Sequence, residues 1–564
     1  MRRLPTILAL AAACAGGAER DWRRPKKLIA TGWDKADSQR LRQNLELMEQ
    51  RPFDGVIMGI VGRVDEKRRC PLRAAFQDAQ WQREWFLPAV RNLQACTFRR
   101  FTDNFVTVGA NPGDVDWFDD RGWANVVDHW RIAAWAAREA GFAGILFDPE
   151  PYTPPHAQFR YAAQPGRDAH PFADYYAQAR RRGRQVMEAI AEEYPDITLF
   201  CYFMNSACSA ACGHPDPRTV LAAHGYGLLP AFIDGWLDAA PPDATFVDGC
   251  ERAYLFNSVE QYLEAAVLIK GACQELVAPE NRAKYRAQVQ VGFGVYLDAY
   301  WNPKDSEWGR WYIDGKGGPR IDRLRANVAT ALRVADQYVW TYGEKFRWWP
   351  TPNSRVREQT WPQALPGCED ILRFARDPQA YARAYMARLR EAGELVNLAR
   401  NGDFASPTAS PNERPADDWD PRGAPAGWHT WQAADSHGTF GWDRAAGASA
   451  EGSARAAGVA NGCFIQKHPA EPGQRCAVQA FRRVQGRGRA WVRVRWQTAE
   501  GAWTAQARDA MVHAQAPRER WGECFGVVEV PEAAGQLVLL LCVGGQASPR
   551  DVAWFDDVAL IRLP

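Results

Sequence analysis

Hydrophobic runs too short for helices recur through the first two thirds of the chain, and most of them end in polar or acidic residues. Eight of these runs read as buried strands: 27–34, 53–61, 104–110, 141–148, 197–204, 244–251, 289–298 and 337–344. An apolar run of about four to eight residues bounded by turn signals fits a parallel strand covered on both faces. Between them apolar residues fall at helical spacing, as in Leu41, Leu45 and Met48, or Val127, Trp130, Ala134 and Ala137. Eight strand-then-helix units predict a (β/α)8 TIM barrel over residues 27–392. A doubly wound open sheet is the competitor, but no dinucleotide-type Gly-rich turn follows the first strand.

Near Glu394 the pattern changes. Residues 395–564 carry a Pro-rich stretch and then short period-two runs separated by turns, as in 490–496 and 535–541, which predicts an all-β sandwich. At 564 residues the chain is too long for one ordinary domain, and 46% hydrophobic residues supply ample core. A net charge of +2 argues against a dedicated nucleic-acid or membrane-surface binder. The 25 tryptophans exceed what a core should need, and flat aromatics are what sugar rings stack on.

Arg2 and Arg3, followed by a short apolar run over 4–13 and small residues, predict a signal peptide over 1–20. The protein is therefore expected to be exported to the periplasm, the medium or the outer membrane of a bacterium. The run is too short to span a bilayer. Residues 10–14 loosely resemble a lipoprotein cleavage site, making Cys14 a candidate lipid anchor. Thirteen cysteines suit an exported protein with a few disulfides, and Cys208 with Cys212, or Cys463 with Cys476, are candidate pairs. No cysteine or histidine cluster has zinc spacing, so no catalytic metal is expected.

The chemistry centres on 141–152, an apolar strand ending in Asp148 and Glu150 with Pro149 and Pro151 around the second acid. The prolines stop ladder pairing, and residues two apart on an extended segment project the same way, at the end of the strand where barrel enzymes keep their chemistry. The other strand ends bring Asp34, Tyr202, Asp248, Glu251, Tyr296, Tyr342 and Glu344 to the same mouth, with Trp33, Tyr152, Tyr254 and Trp348 adding aromatic surface. Acids among aromatics suit glycoside hydrolysis: one carboxylic acid protonates the leaving oxygen, while a carboxylate attacks the anomeric carbon or activates water. Burial and mutual repulsion separate the pKa values of such a pair. Glu150 or Asp148 is expected to supply one catalytic group, and Glu251, with Glu344 as runner-up, the other; Asp248 and Tyr254 are expected to hold substrate or tune Glu251. A first-strand His-x-His, a phosphate-binding Gly-rich loop after the late strands and a Gly-x-Ser-x-Gly elbow are all absent.

On these residues the stretch 27–392 resembles the TIM-barrel glycoside hydrolase superfamily. Asp148-Pro149-Glu150 is similar to the end of the chitinase Asp-x-x-Asp-x-Asp-x-Glu motif, whose earlier acids are Ala143 and Leu146 here. Pro149-Glu150-Pro151 is similar to the Asn-Glu-Pro of the cellulase-like clan, and Asp148 with Glu251 fits an α-galactosidase-like pattern. The run from Asn401 to Phe404, Gly427-Trp428 and the closing 554–560 resemble jelly-roll carbohydrate-binding modules of the galactose-binding-like superfamily. That resemblance implies a structural calcium at Asp403 with Asp556 or Asp557, although Ala405 stands where such modules often have Glu, and implies Trp428, Trp431 and Trp442 as glycan-facing candidates. The expectation is a secreted glycosidase acting on a poly- or oligosaccharide, retaining in outcome, with an appended glycan-binding module; the alternative is a non-catalytic glycan-binding protein with a degenerate barrel.

Overall fold

A computed structural model describes residues 25–152, 157–406 and 424–564, so the expected signal peptide and Cys14 lie outside the described residues. Two compact units divide the chain, Met1–Arg376 and Asp377–Pro564.

In the first unit the strands are β1 (Lys27–Gly32), β2 (Gly55–Met58), a small hairpin of β3 (Val61–Arg63) and β4 (Arg69–Pro71), then β5 (Phe105–Gly109), β6 (Gly144–Asp148), β7 (Thr198–Cys201), β8 (Thr245–Asp248), β9 (Val289–Val291), β10 (Phe293–Tyr296) and β11 (Tyr338–Gly343). Nine of them form one sheet in the order β10-β11-β1-β2-β5-β6-β7-β8-β9, every pair parallel. The two end strands, β9 and β10, are separated only by Gly292, so the sheet curls into a nearly closed parallel barrel. Every residue of β6 is buried, as a strand covered on both faces requires.

Helices coat the outside. Asp119 caps the helix Asp120–Glu139 by accepting the Arg121 amide, and that helix lays Trp130 against Phe147 of β6, with ring centroids 5.1 Å apart. Phe232 and Trp236, one turn apart on Leu229–Ala239, close the same aromatic layer. Trp117, Trp123, Trp130, Trp236, Trp340 and Trp361 are fully buried. Part of the tryptophan content is thus core, while Trp33, Trp431 and Trp503 are exposed. Gly294 shows how tightly the barrel interior is filled: a Cβ there would stand 2.7 Å from Tyr254 Cε1 and 2.8 Å from Trp340 Cζ2. Gly294→Ala is expected to cost about 1–3 kcal/mol through overpacking, measured as a lower urea midpoint at unchanged m-value. An unchanged midpoint would mean that these rings yield freely.

The second unit opens with the helix Pro378–Ala392, which the sequence pattern groups with the barrel. Arg383 of this helix lies over the Phe525 ring and pairs with Glu523 at 2.8 Å. Ten strands follow: β12 (His429–Gln432), β13 (Thr439–Asp443), β14 (Ser453–Ala457), β15 (Asn461–Pro469), β16 (Arg475–Gln485), β17 (Arg489–Gln497), β18 (Ala510–Val512), β19 (Gly522–Glu529), β20 (Gln536–Gly544) and β21 (Val552–Leu563). They make two five-stranded antiparallel sheets, β12-β15-β20-β17-β18 and β13-β14-β21-β16-β19, a β-sandwich. β17 alternates as its sequence predicts: Val492, Val494 and Trp496 are buried, while Arg493 and Arg495 on the other face are partly exposed.

The chain ends of the sandwich are tied by Asn397, which donates to the Val558 carbonyl (2.9 Å) and accepts from the Leu560 amide (2.9 Å). The acids of the calcium expectation already accept hydrogen bonds from the protein. Asp556 is buried with both carboxylate oxygens already accepting amides, from Ala448 (2.6 Å) and Asp557 (2.7 Å), and burial lifts it to about 6. Asp557 takes the Ser449 hydroxyl, Asp403 takes the Ala405 amide, and no group of three or more His, Cys, Asp or Glu among the described residues is placed to hold a metal ion. The cysteines described are all free thiols. Neither expected pair forms: Cys208 faces His224 and the Tyr226 carbonyl, and Cys463 sits opposite Cys542 across β15 and β20. Among the described residues no helix is long and apolar enough to cross a membrane.

Candidate active site

Parallel pairing puts the last residues of the barrel strands on one rim. Asp148 lies beside Gly109, Asp248 beside Cys201, and Tyr342 between Thr31 and Tyr296. Beyond Asp148 the two prolines end the ladder, and Asn111 clamps the departing chain, donating to the Glu150 carbonyl (2.8 Å) and accepting the Tyr152 amide (3.0 Å). The Tyr152 hydroxyl therefore reaches both acids, Asp148 Oδ2 at 3.0 Å and Glu150 Oε2 at 2.6 Å. A phenol has one proton to donate, so both contacts are satisfied only when one carboxyl is itself protonated. Burial raises Asp148 to about 6, with the Lys35 ammonium opposing the shift and the Glu150 charge adding to it, so this shared arrangement is complete below that pH and gives way as Asp148 ionises towards neutrality.

β8 delivers the third acid. Asp248 ends the strand with no exposed surface, and its carboxylate accepts the Ser206 hydroxyl (2.6 Å), the Ser206 amide (3.0 Å) and the Cys250 amide (3.2 Å). These three bonds anchor the turn that leads to Glu251. Cys250 then adopts a left-handed conformation (φ 44°, ψ 60°), which costs a side-chain-bearing residue about 1–2 kcal/mol and swings the chain into the short helical turn Glu251–Leu255. Glu251 is lifted to about 8, first by burial, then by the charges of Glu150 and Asp148, with the Tyr254 phenol easing the shift. Two carboxyls with pKa values near 6 and 8 on one rim can hold opposite protonation states near neutrality.

Under the acids lies an aromatic floor. Tyr202 stacks on Trp340 at 4.6 Å and its hydroxyl meets Thr31 Oγ1 at 3.2 Å, while Tyr254 stacks on Tyr296 at 5.0 Å. All four rings are buried, so Tyr202, Tyr254 and Tyr296 support the mouth from below, and half-buried Tyr342 packs beside them. Glu344 is raised by burial and donates its amide to Asp298 Oδ2 (2.8 Å); Asp298 rises to about 7, also by burial.

Two of the expected substrate ligands, Asp34 and Trp348, are held by partners within the fold. Asp34 pairs with Arg40 at 2.9 Å, and Arg40 also donates to the Asp34, Trp349 and Pro350 carbonyls, so the pair clamps one loop to another. Trp348 is buried, edge-on to Phe53 with centroids 5.0 Å apart. In the sandwich, Trp428 is core and Trp442 donates to the Phe404 carbonyl, leaving Trp431 at 44% exposure as the open ring.

A cleft of about 560 Å³ opens at the rim. Asp148, Tyr152, Tyr342 and Trp33 line it, together with Lys35, Arg73, Asn111, Asn353 and Arg355, which sequence reasoning passed over. Trp33 and Tyr152 are its exposed aromatics, at 45% and 55%. Glu150, Glu251 and Glu344 stand outside this lining; Glu150 and Glu251 are joined to Asp148 through their charges. Lys35 was legible as the residue after a strand-end acid; Arg73 and Arg355 sit in irregular loops with no periodic signal.

A nearly closed parallel barrel with a carboxyl-rich mouth, followed by a β-sandwich, defines the class of protein. No family model matches this chain and no relative was found among curated proteins. Among solved structures, the neighbours include carbohydrate-binding modules and a cyclase from Fischerella sp. TAU (14% identical, TM-score 0.21, 30% of this chain and 98% of that one). One further neighbour is the enzymatically active domain of a bacteriophage CBA120 tailspike protein (14% identical, TM-score 0.21, 30% of this chain and 22% of that one). A second is an endo-1,4-β-D-xylanase module pair from Clostridium thermocellum complexed with xylohexaose (14%, TM-score 0.20, 24% and 26%). A third is a carbohydrate-binding module in complex with β-1,4-galactotriose (14%, TM-score 0.20, 30% and 99%). This chain thus spans about a quarter of the tailspike chain and of the xylanase chain.

Proposed function

We propose that this chain is an exported glycoside hydrolase that cleaves O-glycosidic bonds of a poly- or oligosaccharide. In this reading the barrel is a (β/α)8 barrel in which β9 and β10 are one strand interrupted at Gly292, residues 1–20 are a signal peptide, and the sandwich is a jelly-roll glycan-binding module with Trp431 as its open ring. The observation that carries it is the acid cluster at the strand ends, where the Tyr152 hydroxyl bonds both Asp148 and Glu150 and where burial pushes Asp148 up to about 6 and Glu251 up to about 8. Near pH 7 Glu251 holds a proton to give to the leaving oxygen, and Asp148 is mainly ionised, ready to attack the anomeric carbon. As the leaving group departs, Asp148 holds the sugar as a glycosyl ester; Glu251, now a carboxylate, draws a proton from a water that attacks the anomeric carbon, the ester bond to Asp148 breaks, and the sugar is released with retention. Tyr152 steadies the Asp148 carboxylate, Glu150 keeps Glu251 protonated through its charge, and Trp33 offers a stacking face beside the reacting ring.

The test is hydrolysis of a panel of aryl glycosides and of algal and plant polysaccharides by the wild type and by Asp148→Asn, Glu150→Gln and Glu251→Gln. Activity on at least one substrate is expected, lost by orders of magnitude in Asp148→Asn on every substrate and in Glu251→Gln on natural linkages. A wild type that cleaves nothing, with a sandwich that binds glycan, would replace this reading by a non-catalytic glycan-binding protein. Activity surviving all three changes would place the chemistry elsewhere.

A further inference from the structure

We infer that the cleft beside Asp148 is built for a sugar carrying a negative substituent, a uronate carboxylate or a sulfate ester. This rests on the proposed reading that the mouth takes a glycan. Three cations, Lys35, Arg73 and Arg355, share the cleft wall with two acids, Asp37 and Asp148. Asp37 is committed to capping a helix by accepting the Arg40 amide at 2.8 Å. The charge of Lys35 answers Asp148 and Glu150. Arg73 and Arg355 are exposed and have no carboxylate partner among the described residues, and Arg73 repels Lys35 across the cleft.

Two guanidinium groups in a cleft lining, neither paired with a carboxylate among the described residues, are poorly suited to a neutral sugar, whose hydroxyls need no full charge. Their planar forks match the paired oxygens of a carboxylate or sulfate. The Arg355 loop is also held in place: Asn353 donates to the Trp33 carbonyl at 2.8 Å and accepts the Arg355 amide at 3.0 Å. Asn353 thereby ties the backbone at Arg355 to that at Trp33, and both residues line the same cleft, an exposed aromatic and a cation together.

Calorimetry on the full chain tests this, with tetragalacturonate, a sulfated galactan tetrasaccharide and neutral galactotetraose as probes, for the wild type and for the Arg73→Gln/Arg355→Gln double variant. One charged probe is expected to bind on the order of tenfold or more tighter than the neutral one, weakening with added NaCl. The double variant should lose that advantage while keeping its melting temperature and its affinity for the neutral probe. Which charged probe binds tells carboxylate from sulfate. Equal binding of the neutral probe, no binding of either charged probe, or a preference that survives in the double variant would overturn the inference. The two readings fail separately. Charge-selective binding lost in the double variant, without hydrolysis of any glycan, leaves this inference standing and removes the catalytic one. Asp148-dependent hydrolysis confined to neutral glycans does the reverse.

Discussion

Asp148→Asn is expected to lower kcat by on the order of 10⁴-fold or more, the scale on which removing a nucleophile from a catalytic unit acts. The amide is nearly isosteric and can still accept the Glu150 amide now bound at 3.1 Å, so the loop geometry should persist. What disappears is the negative oxygen that attacks the sugar, and nothing on the cleft wall replaces it: Asp37 is turned into its helix cap. Steady-state rates on the best substrate of the panel check this, together with added azide. An external nucleophile should restore part of the rate and give a glycosyl azide of inverted configuration. Wild-type-like turnover would move the nucleophile to Glu150 or off this rim.

Glu251→Gln is expected to lower kcat/KM by about 10²–10⁴-fold, the usual contribution of a general acid. The loss should depend on the leaving group. A nitrophenolate departs without help, so aryl glycosides should lose little, whereas natural linkages with poorly leaving alcohols should lose the full factor. Comparing the two substrate types separates an acid catalyst from a residue that merely shapes the pocket, which would depress both equally. A uniform loss would reassign proton donation, with Glu344, raised by burial on the same rim, as the alternative donor.

The barrel was legible because strands buried on both faces need continuous apolar runs, and each of the eight such runs contains at least one observed strand. The break at Gly292 was not, since a single glycine inside an apolar run carries no periodic signature. Site residues were legible as strand-end acids, but residue type does not report what a carboxylate already holds. Asp34 and Asp248 look like Asp148 in sequence, yet Arg40 takes the first and Ser206 the second. Those partners lie on a helix six residues onward and on the turn after β7, contacts that only the fold creates. Aromatics failed in the same way: Trp33 and Trp348 are equivalent as letters, but one is half exposed and the other packs on Phe53.

The central claim is that burial and mutual repulsion hold Asp148 and Glu251 in opposite protonation states, and the pH dependence of kcat/KM tests it most directly. The expected profile is a bell, rising as Asp148 ionises near pH 6 and falling as Glu251 loses its proton near pH 8. In Glu150→Gln one negative charge is gone that raises both groups, so both limbs should move to lower pH. A profile with no alkaline limb, or limbs that stay in place when the Glu150 charge is removed, would contradict the account.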